Sequence, residues 1–194
     1  MTKLDKAFYQ RDTLTVAREL LGCRIVHIRD NKRLELRITE TEAYCGVNDK
    51  GCHTYGNKKT ERTRAMYMHG GIAYVYLIYG MYSCLNAVTE LDEPCAVLIR
   101  GGEAVGDVDA LSLMRYNKPY GELSSYQRKN LANGPGKLCL ALGIGKSNNM
   151  TDLTGNTLFI ERDIVPREIK TGKRINIDYA EEAKDFLWRF YYDR

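Results

Sequence analysis

A chain of 194 residues, 44% hydrophobic and 28% charged, is long enough for one sizeable core and leaves little room for a second. Its net charge of +4, from 29 Lys and Arg against 25 Asp and Glu, permits a polyanionic partner without requiring one. No apolar run approaches a transmembrane length and the charged opening lacks a signal-peptide core, so no membrane partner and a reduced, cytoplasmic protein (nucleoid-associated in a bacterium) are expected.

The six cysteines (Cys23, Cys45, Cys52, Cys84, Cys95 and Cys139) show no C-x-x-C pair, and Cys52 and His53 are adjacent rather than at metal-ligand spacing. No metal site is expected. Fourteen tyrosines stand against four phenylalanines. Tyrosine carries a polar handle, so the excess suits a half-wet aromatic surface better than a dry core.

In chain order, Asp12 can cap a helix over Thr13–Leu21 that ends at Gly22. Residues 23–29 read as a strand, Asp30-Asn31-Lys32 as a turn and residues 34–44 as a second strand. In that second strand Leu34, Leu36 and Ile38 share one parity, and Glu35, Arg37 and Thr39 the other. Continued without a bulge, the strand places Glu40, Glu42 and Tyr44 on the Leu34 side. A core-facing carboxylate is costly unless it is paired, hydrogen-bonded or beside a wet pocket. Two readings stand: solvated acids beyond the end of the sheet, or a general base in a partly dry cleft.

Residues 46–64 are polar, with Lys58, Lys59, Arg62 and Arg64, and read as a surface loop whose cations are solvated or track phosphates. His53, within it, reads by itself as structural.

Two β-rich runs then meet at Tyr79-Gly80-Met81 and predict a hairpin, with Tyr74 and Tyr76 on one face and Val75 and Leu77 on the other. The tyrosines of a buried hairpin would be core fillers, which accounts for Tyr74. It accounts poorly for Tyr79 and Met81, because a ring at a tip stays wet unless a partner covers it. A wedge of this kind beside basic residues fits insertion between base steps.

Residues 95–99 form a short apolar strand running into Arg100, which is either a surface charge or a cation aimed into a cleft. Residues 107–116 suit a helix, and a short one is expected near Gln127. Pro135 opens and Gly143 closes another, whose Gly-flanked start with Lys137 is a weak candidate for an anion. Residues 157–161 read as a strand, residues 174–177 as a final strand, and residues 180–190 as an amphipathic closing segment.

With those residues in view, the sequence resembles the alkyladenine (3-methyladenine) DNA glycosylase family, the type without a helix-hairpin-helix. The matching pieces are A-R-E-L-L-G at 17–22, E-T-E-A-Y at 40–44, His53, R-T-R-A-M-Y-M at 62–68, Y-V-Y-L-I-Y-G-M-Y from Tyr74, Asn86, V-L-I-R ending at Arg100 and G-P-G-K-L-C-L-A-L from Gly134. They fall in family order over most of the chain, and the last quarter matches loosely through R-I-N-I and R-F-Y.

The resemblance implies a single α+β domain over residues 1–194: a curved antiparallel β-sheet with a protruding β-hairpin and flanking short helices. It implies that Glu42 activates water, that Arg100 helps to hold that water, and that backbone near Ile175 contributes an acceptor. Tyr44, His53 and Tyr76 are implied as walls of a base pocket, Asn86 as its gate against guanine, and Tyr79 with Met81 as the plug for the gap left in the duplex. The implied partner is double-stranded DNA carrying damaged purines, met by a monomer without a cofactor.

Two other readings remain at this level. Glu40 and Glu42, two apart on a strand, would stand about 7 Å apart, within the range of inverting glycoside hydrolases. An aromatic platform with Lys and Arg also fits a non-enzymatic binder of single-stranded nucleic acid.

Overall fold

A computed structural model describes residues 1–193. Its framework is one eight-stranded antiparallel sheet that grows from the hairpin of β1 (Arg24–Arg29) and β2 (Lys32–Tyr44). The two residues between them, Asp30 and Asn31, have φ of 50° and 59°, a left-handed turn that short polar side chains tolerate. The protruding hairpin consists of β3 (Ala73–Ile78) and β4 (Tyr82–Thr89), and β5 runs from Cys95 to Ala104. With β6 (Leu158–Glu161) the strand order is β3-β4-β5-β2-β1-β6. A last strand, β8 (Arg189–Tyr191), lies between β2 and the short β7 (Lys170–Gly172).

The 13-residue β2 is the hub, because its first half pairs with β1 and its second half with β8 along the same edge. Its register against β5 slips around Glu40, opposite Gly101. A bulge there bends the strand and flips the side-chain alternation. Before it Leu34, Leu36 and Ile38 enter the main core; after it Ala43 does so, and the Thr41 hydroxyl bonds the Ala17 carbonyl at 2.8 Å beneath the same face. The uninterrupted parity expected from the sequence is therefore wrong. Glu40, Glu42 and Tyr44 project from the face opposite Leu34.

The main core lies on the face with Leu34, Leu85, Val97 and Ile99. Covering it are α2 (Thr13–Glu19), capped by the Asp12 side chain, α3 (Val108–Tyr116), capped by Asp107, and α5 (Pro135–Leu142). Before α2 lies the one-turn α1 (Lys6–Tyr9), and between α3 and α5 is α4 (Ser125–Lys129), closed by a Ser124–Gln127 capping box. Each fully buried Leu or Ile in such a core contributes about 1.5–3 kcal/mol relative to exposure. A smaller cluster of Cys52, Met66, Ile72, Tyr74, Val88 and Ala96 packs separately, with Tyr44 and Tyr76 against it.

Two expectations near the C-terminus fail. Residues 174–177 are not a strand, because Asn176 takes φ +61° and Arg174 turns inward to Asp49. Residues 180–190 are not one amphipathic element but a 3-10 segment, Glu181–Asp185, followed by β8. The α2 helix also stops at Glu19, two residues before its expected end.

Candidate active site

The flip of alternation in β2 brings Glu42 into a row of side chains on the second face of the sheet. Tyr74 pairs with Asn86, Asn86 with Leu98, and Leu98 with Glu42, so four side chains from four adjacent strands point the same way. They line a cleft of about 380 Å3 with Tyr44, His53, Tyr76 and Arg100. Residues 175–177 close one side, and Tyr79, Pro135 and Tyr179 also border the cleft.

Glu42 is buried, its side chain only 1% exposed. Its Oε2 accepts the Tyr44 hydroxyl proton at 2.9 Å, and its Oε1 accepts the Ile175 backbone N–H at 2.9 Å. Burial pushes this carboxyl above the ordinary range, against the pull of the Arg100 guanidinium, the Ile175 N–H and the Tyr44 hydroxyl. A carboxyl so held has a fixed orientation and a raised proton affinity, the properties needed to take a proton from water.

Arg100 stands with Nε 3.5 Å from Glu42 Oε1 but donates to Glu40 Oε1 at 3.0 Å. The same Glu40 oxygen accepts from Arg189 at 3.0 Å. Glu40 is thus a bridge between two guanidinium groups, and its side chain is not part of the cleft lining.

The walls are aromatic. The Tyr74 and Tyr76 ring centroids are 5.3 Å apart, and the His53 ring stands 4.7 Å from Tyr76, nearly perpendicular to it. His53 Nε2 is 3.3 Å from an Arg62 nitrogen that can only donate, which assigns the ring proton to Nδ1 and directs it to the Tyr74 hydroxyl at 2.9 Å. Burial, then Arg62 and Lys58, push the His53 pKa down to about 4, so the ring is neutral near pH 7. Asn86 is buried, and its Nδ2 donates to the Tyr74 carbonyl at 3.0 Å.

At the hairpin tip Tyr79 is 81% and Met81 66% exposed. Tyr79 adopts φ +52°, left-handed backbone that costs a non-glycine residue roughly 1–2 kcal/mol. Strain of this kind at an exposed ring is a common mark of a functional position.

Of the sequence-predicted site residues, Glu42, Arg100, Tyr44, His53, Tyr76, Asn86 and Tyr79 all line this cleft, while Met81 stays outside it at the tip. His53 is drawn into the wall rather than left as a loop histidine. Sequence reasoning missed Arg62 as an individual: its guanidinium lies 5.0 Å over the Tyr76 ring and lines the cleft, which Lys58, Lys59 and Arg64 do not. It also missed the hydroxyl role of Tyr74 and the buried Arg174–Asp49 pair, for which no periodicity gives a signal. The Lys137 ammonium at the start of α5 donates to the Asn130 side-chain oxygen at 2.5 Å.

A family model described as methylpurine-DNA glycosylase matches residues 7–194. Among curated relatives, a protein of Clostridioides difficile strain 630 is 50% identical over 97% of this chain and 99% of its own. One of Clostridium novyi strain NT is 51% identical over 98% and 95%, and one of Alkaliphilus oremlandii strain OhILAs 53% identical over 97% and 95%. All three carry the provisional name 3-methyladenine DNA glycosylase.

Proposed function

Because the chain belongs to the methylpurine-DNA glycosylase family, we propose that its cleft receives a damaged purine rotated out of duplex DNA and that Glu42 directs its hydrolytic release. The observation that carries this reading is the fully buried Glu42 among tyrosine walls, one oxygen held by Tyr44 and the other by Ile175.

A base inside the duplex is out of reach, so it must leave the stack, at a cost of a few kcal/mol that a plug offsets. Tyr79 is that plug, standing outward on the strained tip, with Met81 beside it. An alkylated, electron-poor purine enters between the faces of Tyr44 and Tyr76 with neutral His53 alongside. Asn86, anchored through its amide nitrogen, stands against the 2-amino group that distinguishes guanine from hypoxanthine.

The chemistry then needs one carboxylate. Glu42 takes a proton from water as the water oxygen bonds C1′; the C1′–N bond breaks and its electron pair leaves with the base. A methylated purine departs as a neutral molecule, which removes the need for a strong acid. Arg100 favours the ionised form of Glu42. No step calls on a lysine, so the product is an abasic site in an intact strand.

Glu40 is not part of the cleft lining and is engaged by Arg100 and Arg189, which argues against a pair of carboxyl groups flanking one sugar bond. The test is base release from duplexes that each carry one defined lesion, beside single strands and oligosaccharides. Release from lesion duplex alone supports the reading. Sugar hydrolysis, or tight single-strand binding without release, overturns it.

A further inference from the structure

The segment that supplies the Ile175 N–H has no regular secondary structure, yet its donor must stay within hydrogen-bond reach of Glu42. Ile175 itself is on the exposed side of the segment, with 36% relative exposure, so its own side chain does not anchor it. What anchors it is the preceding residue. The Arg174 side chain is buried and makes a bidentate pair with Asp49, Nη1 to Oδ2 at 2.5 Å and Nη2 to Oδ1 at 2.8 Å.

The same guanidinium reaches both sides of the catalytic region. Nη1 also donates to the Ala43 carbonyl at 3.0 Å, one residue beyond Glu42 on β2, and Nη2 to the Ala183 carbonyl at 3.1 Å. Its carbon lies 4.8 Å over the Tyr44 ring and 5.0 Å over Trp188. Asp49 is fixed in turn by the backbone N–H groups of Cys45 and Gly51, at 3.0 and 2.9 Å. One planar cation thus spans the strand that carries Glu42, the ring that donates to it and the segment that supplies its second donor. A lysine has no such fork.

We propose that the buried Asp49–Arg174 pair is a positioning element for the active-site carboxylate, holding the Ile175 N–H and the Tyr44 hydroxyl on the two oxygens of Glu42. The inference rests on Glu42 being the base of the proposed reaction. A buried ion pair is weak evidence for net stability, because desolvation offsets much of the attraction. A geometric task accounts for this one better. Loosening it weakens the two hydrogen bonds that favour ionised Glu42, so the carboxyl titrates at higher pH.

Two variants test this. Arg174→Lys keeps the charge and gives up the fork. Gly51→Ala keeps both partners but adds a methyl 3.0 Å from Arg174 Nη2 and 3.2 Å from its Cζ, so the guanidinium must shift. Each is compared with wild type in three measurements: thermal melting, the titration of the Glu42 carboxyl carbon by NMR, and the pH dependence of single-turnover release of a methylated purine from duplex DNA. We expect the Glu42 titration and the acid limb of the rate profile to move together to higher pH in both variants. The maximal rate falls about tenfold in Arg174→Lys, on the scale of one hydrogen bond to a charged group, and less in Gly51→Ala.

A pair that only holds the fold together would lower melting without moving either titration, and that result overturns the proposal. If Arg174→Lys does not fold, Gly51→Ala decides. If wild type releases no base, the proposed function fails while the NMR titration still reads the tether.

Discussion

Arg100 gives its Nε hydrogen to Glu40, at 3.0 Å, and stands 3.5 Å from Glu42. The arginine nearest the buried carboxyl is therefore held by a second acid, which Arg189 grips from the other side. Glu40 ties the middle of β5 to β8, and through Arg100 it sets where positive charge falls beside Glu42.

Glu40→Gln keeps a carbonyl oxygen that can accept from both arginines and loses the charge that holds them. We expect an excision rate lowered about tenfold, on the scale of one charge-assisted hydrogen bond. That is milder than the loss on changing Glu42 itself. Single-turnover rates on one lesion duplex compare them; a Glu40→Gln loss equal to that of Glu42→Gln would place Glu40 in the chemistry.

Tyr79→Ser removes the exposed ring from the hairpin tip. Lesion-duplex affinity is expected to weaken by roughly 1–3 kcal/mol, the worth of one base–aromatic stack. Binding to the same lesion in a single strand, where there is no gap to fill, changes much less. Equal losses on the two substrates would make Tyr79 a general contact.

Asn86→Ser opens the edge of the cleft where the fixed amide stands. The expected outcome is slow release of undamaged guanine while hypoxanthine excision survives. Incubating a guanine-containing duplex with wild type and variant side by side measures this. A folded, hypoxanthine-active variant that releases no guanine would move the gate elsewhere.

Glu42 also gives a stability prediction with a definite sign. Its folded pKa is raised, chiefly by burial, so above the ordinary value near 4.5 the native state holds more protons than the unfolded chain. The stability from that group is complete below the unfolded pKa and is lost as pH rises through the folded one. Glu42→Gln carries no charge to bury. The melting temperature of the variant minus that of wild type is thus more positive at pH 7.5 than at pH 4.5, and a difference independent of pH would contradict the raised pKa.

Much of this site was legible because its parts lie close together in sequence. Alternation placed Tyr74 and Tyr76 on one face of the hairpin, and turn residues placed Tyr79 at its tip. Glu42 was singled out for an incomplete reason. Its burial is real, but it faces the cleft and not the main core, because the bulge at Glu40 reverses the parity of β2. The available signal was in the partner strand: Gly101 and Gly102 stand where a Cβ would meet Glu40 Cβ at 3.3 Å and Leu36 Cβ at 3.1 Å. Residues 174–177 misled for another reason. Arg-Ile-Asn-Ile alternates like a strand, but a buried pairing with Asp49, 125 residues away, outweighs the local pattern.

The central claim is that Glu42 is the base, and single-turnover release from a methylated-purine duplex by Glu42→Gln tests it most directly when lesion binding is measured on the same sample. The account predicts affinity for the lesion duplex close to wild type with base release slowed by at least ~10²-fold, the lower end of what a positioned general base supplies. Near wild-type release by a folded Glu42→Gln enzyme would contradict it.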